Sequence, residues 1–139
     1  MRVIGIDHGG KRTGVAVTDP LRIIASALAT VDTSEVIAFL RDYVAREQVE
    51  GFVVGLPVGL DNRPTDATAA VKAFVAELRR RFPAQWVETA DERFTSRLAQ
   101  HAMLDSGKGR MARRDKGSLD RISATIILQG WLDRQGARG

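Results

Sequence analysis

The chain has 139 residues, 44% of them hydrophobic, and a formal charge of +4 from 21 basic and 17 acidic residues, so one globular domain over residues 1–139 with a substantial core is expected. Its lack of cysteine excludes disulfides, thiolate metal sites and a cysteine nucleophile. MRVIGID at the start runs from an apolar strand straight into a turn, unlike a signal peptide, and no apolar stretch approaches membrane-spanning length, so a cytoplasmic protein with no membrane partner is expected.

In chain order, Val3 to Asp7 reads as a buried strand, Gly9-Gly10 as a turn, and Thr13 to Thr18 as a returning strand with Val15 and Val17 on one face. Ile23 to Val31 reads as a third strand. Asp32, Thr33 and Ser34 offer capping oxygens to a helix whose Val36, Phe39, Leu40, Tyr43 and Val44 recur at helical spacing. Gly51 to Leu56 is a continuous apolar run, as a strand covered on both faces requires, and Pro57 to Pro64 is turn-rich. Thr65 or Asp66 can cap a second helix with Ala67, Val71, Phe74, Val75, Leu78 and Phe82 on its inner stripe, ended by Pro83. Gln85 to Thr89 reads as the last strand. A helix around Ser96 to Leu104, a Gly- and Arg-rich loop from Ser106 to Gly117, and a terminal helix from Ser118 to about Asp133 complete the chain. The order predicts a mixed α/β sheet of about five strands, an antiparallel hairpin section joined to a parallel βαβ section, in an RNase H-like layout flanked by helices.

Three acids from distant segments fall where such a sheet places its ligands. Asp7 ends an apolar strand, where a half-buried carboxylate needs compensation by a cation or by capping the Gly9-Gly10 turn. Glu92 follows the last strand between Asp91 and Arg93, and a surface ion pair within that triplet is the bland alternative. Asp120 shares a helical face with Ala124, Ile127 and Trp131, so it begins an apolar stripe; an acid in a first helical turn also stabilises the helix end. Hard oxygen ligands brought together by folding suit Mg2+ or Mn2+, two ions serving an in-line displacement at phosphorus.

Positive charge concentrates at Lys108, Arg110, Arg113, Arg114, Lys116 and Arg121, opposed there by Asp115 and Asp120, a distribution that attracts a nucleic-acid backbone or marks a solvated loop. Lys11, Arg12, Arg93 and Lys108 are candidate phosphate contacts, and Thr95 and Ser96 are candidate caps whose helix amides would hold a phosphate oxygen. His8 adjoins Asp7, His101 reads as surface, and Trp86 and Trp131 read as core or interface. Gly9-Gly10-Lys11 lacks P-loop spacing.

GIDHGGKRTGVAVTD, VVGLPVGLDNRPT, DERFTS and SLDRISATIILQGWLD, in that order over nearly the whole length, resemble the YqgF or RuvX family of Holliday junction resolvases within the RNase H-like superfamily. The resemblance implies that Asp7, Glu92 and Asp120 form the catalytic, metal-binding set. It further implies a nuclease that trims the 5′ end of precursor small-subunit ribosomal RNA, with resolution of branched DNA as the other role. The chain departs from the family pattern at Asn62-Arg63-Pro64, where a Gly-containing turn is usual, and over Ser118 to Ser123; neither departure removes a ligand. A non-catalytic nucleic-acid-binding module is argued against by the retained acids. A nucleotide phosphotransferase would need a second domain for which the chain has no room. Structured RNA or branched DNA is therefore the expected partner, of a monomer or a homodimer.

Overall fold

The computed structural model describes residues 1–57, 66–91 and 116–138. Five strands form one sheet in the order β3-β2-β1-β4-β5: β1 Arg2–His8, β2 Arg12–Thr18, β3 Ala25–Asp32, β4 Val49–Leu56 and β5 Trp86–Asp91. β1 pairs antiparallel with β2 and parallel with β4, β2 pairs antiparallel with β3, and β4 pairs parallel with β5. This is the predicted hairpin section joined to a parallel section.

Helices cover both faces, which explains why β1 and β4 are apolar without alternation. On one face, α1 (Val36–Arg46) and α2 (Asp66–Arg81) bury Val36, Leu40, Val71, Phe74 and Leu78 against Ile4, Ile6, Phe52 and Val54 of the sheet. On the other lies α3 (Lys116–Arg138), whose Ala124, Ile127, Leu128 and Trp131 pack on Val3, Ala16, Val53 and Ala90. Each large aliphatic side chain so buried stabilises the fold by about 1.5–3 kcal/mol relative to exposure.

Alternation along β1 assigns its faces. Ile4 and Ile6 join the α1/α2 core, while Val3 and the Cβ position of Gly5 meet α3, so Asp7 projects to the α3 side and His8 to the α2 side. His8 stacks on Phe74 with ring centroids 4.5 Å apart.

Three local expectations are corrected. The third strand starts at Ala25 because the Asp19 carboxylate accepts the amides of Leu21, Ile23 and Ile24 and folds that stretch into a loop, with Arg22 at φ 57°. No side chain of Asp32, Thr33 or Ser34 caps the helical segment; residues 33–35 form a single 3-10 turn and Thr33 bonds elsewhere. The terminal helix begins at Lys116, not Ser118, which places Asp120 beyond its first turn, and it extends to Arg138. The expected helix around Ser96 to Leu104 and the loop before Lys116 lie outside the described residues, as do Asn62-Arg63-Pro64.

Candidate active site

Asp7 lies at the carboxyl end of β1, level with the ends of its parallel neighbours, where Ile6 pairs with Val54 and Leu56 pairs with Asp91. Its antiparallel partner on β2 is Gly14, and directly opposite residues project to the same face. A Cβ on Gly14 would stand 1.9 Å from the carbonyl oxygen of Asp120. The backbone of α3 therefore rests on the bare α-carbon facing Asp7, and the second acid is delivered to the same corner as the first. Gly5, where a Cβ would stand 2.6 Å from Leu128 Cβ, permits the same close approach two helical turns further on.

Arg12 completes the corner. Its Nε donates to Asp120 Oδ2 at 3.0 Å, with 40% of the arginine and 23% of the aspartate side chain exposed. The adjacent Arg121 donates from Nη1 to Thr30 Oγ1 at 3.2 Å. The arginine read as a phosphate contact is thus bound to an acid of the expected metal set.

The turn bearing Lys11 and leading to Arg12 is held from Thr33, the first residue after the third strand. Thr33 donates its hydroxyl to the Gly9 carbonyl at 2.6 Å, its amide donates to the Lys11 carbonyl at 2.9 Å, and its Oγ1 lies 2.9 Å from that of fully buried Thr13. Since the Thr33 proton goes to Gly9, Thr13 is the donor to Thr33.

Sequence reasoning did not assign Gly14 to the site, and it read Thr33 only as a helix cap. A glycine inside the strand pattern TGVAV was the available signal for Gly14, because it marks close approach of another backbone; the long-range role of Thr33 had no local signal.

Of the predicted site residues, the fold gathers Asp7, Arg12 and Asp120 on one face and puts Lys11 in the adjoining turn. Glu92, Arg93, Thr95, Ser96, Lys108 and His101 lie outside the described residues; the chain reaches Glu92 directly from the end of β5. His8 is separated from Asp7 by the sheet itself. Burial against Phe74 pushes its pKa below the usual 6.5, which favours the neutral ring. Trp86 and Trp131 are packing residues: their rings lie 5.3 Å apart, Trp131 donates to Glu88 at 2.7 Å, and Trp86 covers the bare α-carbon of Gly51.

The donor chemistry fits hard divalent cations, since among the described residues two carboxylates and no competing nitrogen or sulfur ligand are contributed to this corner. Among the described residues no group of three potential ligands forms, so a third would have to come from elsewhere.

The sheet order and the helices on both faces are those of an RNase H-like fold, and a solved structure agrees. RuvC from Thermus thermophilus matches with a TM-score of 0.58 at 15% identity, covering 98% of this chain and 97% of that one. The chain belongs to the family described as "RuvX: Holliday junction resolvase", whose profile matches residues 1–134. Relatives named "Putative pre-16S rRNA nuclease" include one from Porphyromonas gingivalis, 49% identical over 95% of this chain and 96% of its own length. Another, from Parabacteroides distasonis, is 50% identical over 95% and 94%. Among the described residues, no helix is long and apolar enough to cross a membrane.

Proposed function

We propose that this protein is a Mg2+- or Mn2+-dependent endonuclease of structured nucleic acid, and that it trims the 5′ end of precursor 16S ribosomal RNA. The observation that carries the reading is the seating of α3 on Gly14, which brings Asp120 to the face and strand end occupied by Asp7. Nearly full-length relatives named for that RNA direct the choice of substrate. Such a substrate places the protein's work in the cytoplasm.

In this reading Asp7, Asp120 and Glu92 hold the cations, Glu92 by its position directly after β5. Two bound ions would supply an activated water and stabilise the leaving oxygen. Asp7 is fixed by its pairing with Gly14 of β2, next to the point where the pairing with β4 ends at Ile6, and Asp120 by the packing of α3, so the ligand oxygens are presented by rigid elements. Lys11 and Arg12 sit beside them to meet the phosphate backbone, and Arg93, Thr95, Ser96 and Lys108 are proposed to extend that contact.

The test uses the purified protein on precursor 16S RNA and on a four-way DNA junction, with Mg2+ and with Mn2+. Asp7→Asn is expected to reduce cleavage by about a hundredfold to a thousandfold, while leaving RNA affinity measured in EDTA and the thermal midpoint within error of wild type. Cleavage by Asp7→Asn at the wild-type rate would overturn the site assignment. Preferential cutting of the junction would favour the second reading, a resolvase, which rests on the description of the matched family. Two symmetric strands are cut in that case, so a homodimer in solution would accompany it. A protein that binds both substrates and cuts neither with either metal would be a binding module.

A further inference from the structure

The pairing of Arg12 with Asp120 has a consequence for how the site is loaded, and it rests on the cation-site reading above. The guanidinium occupies Oδ2 of a carboxylate proposed to ligate a divalent cation, and it does so from the same face of the sheet as Asp7. A cation entering that corner meets a positive charge already attached to one of its ligands. Arg12 is nevertheless placed to change partners. It begins β2 beside the turn held by Thr33, its side chain is 40% exposed, and its planar head serves a carboxylate or a phosphate equally well.

We infer that Arg12 is a positioning residue with two alternative partners: it holds the Asp120 carboxylate in place and competes for its oxygen until a divalent cation binds, and the displaced guanidinium then grips the incoming phosphate. Loading of the cation and binding of the nucleic acid are thereby coupled through one side chain. The pair is partly exposed, which keeps it weak enough to be exchanged.

Two measurements read this out without cleavage. Calorimetric titration with Mn2+ is expected to give about two- to fivefold tighter binding in Arg12→Ala and in Arg12→Gln, the range that a partly exposed ion pair sets. Lys11→Ala removes the same charge one residue away, from a side chain that makes no contact with Asp120 among the described residues, and is expected to change the constant by less. Fluorescence anisotropy of a labelled precursor RNA is then compared in EDTA and in Ca2+ at fixed ionic strength, with the samples checked for intact RNA. Arg12→Ala should match wild type in EDTA, where the guanidinium is engaged by Asp120, and bind about threefold more weakly in Ca2+. Lys11→Ala should weaken binding equally in both.

Failure of the wild-type protein to bind Mn2+ would remove the site reading and this inference with it. A wild-type protein that binds Mn2+ with a constant unchanged in both Arg12 variants would overturn the inference alone. An Arg12→Ala defect of the same size in EDTA and in Ca2+ would do so as well.

Discussion

Replacing Gly14 by alanine tests the packing that brings the two acids together. The new methyl group would stand 1.9 Å from the carbonyl oxygen of Asp120, 2.3 Å from its carbonyl carbon and 3.0 Å from the Arg121 nitrogen, all backbone atoms that no rotamer change can move. Recovering an ordinary contact of 3.4 Å requires the N-terminal part of α3 to retreat by about 1.5 Å. Overpacking of this kind costs about 1–3 kcal/mol, set against about 0.5–1 kcal/mol regained by replacing a glycine in a strand. The net effect on stability is therefore modest. The effect on the site is not, because a displacement of about 1 Å in a catalytic group lowers a rate by about a hundredfold. Gly14→Ala should remain folded, with a thermal midpoint lowered by several degrees, and cleave precursor RNA about a hundred times more slowly at a temperature where it is fully native. The salt bridge from Arg12 should loosen with it. A variant that is as stable as wild type or more so, and cleaves at the wild-type rate, would refute the claim that α3 is seated on this glycine.

His8→Phe keeps the stack on Phe74 and removes the titrating group. Because burial lowers the folded-state pKa below 6.5, the contribution of the neutral ring to stability is complete above that pH and is lost as pH falls toward the folded value. Denaturant unfolding of wild type should show this loss, and His8→Phe should lack it, while the pH profile of cleavage stays the same; a shifted cleavage profile would return His8 to the reaction. Thr33→Val deprives the Gly9 carbonyl of its donor and fully buried Thr13 of its acceptor. A loss of about 1–3 kcal/mol in unfolding free energy is expected, together with weaker RNA binding as the turn carrying Lys11 and Arg12 loosens. Thr33→Ser should recover most of both, and failure to do so would show that the methyl group, not the hydroxyl, is what matters.

Much of the fold could be read from local patterns because those patterns record burial. VIGID and GFVVGL are continuous apolar runs because β1 and β4 are covered on both faces, and Val36, Leu40 and Tyr43 of the first helical stripe and Val71, Phe74, Val75, Leu78 and Phe82 of the second reach the core. The helical face shared by Asp120, Ala124, Ile127 and Trp131 was likewise calculable from 100° per residue, and the last three are buried as that geometry requires. Where reading failed, a side chain bonded to a distant or unexpected partner. Asp19 captured the amides that would have lengthened β3, and Thr33 tied the Gly9 turn where a helix cap was expected.

From its sequence alone, this protein's mixed sheet, its layered helices and the residue types of a carboxylate site on a basic chain could be derived, since periodicity and composition are properties of neighbours along the chain. Which of those residues share a corner was decided by tertiary packing. Asp7 and Asp120 lie far apart in sequence and come to one face because two glycines let a helix settle directly on the sheet, and that same contact gives Arg12 its carboxylate partner. Such seating depends on backbone atoms brought together by the whole fold, and no local window of sequence contains it.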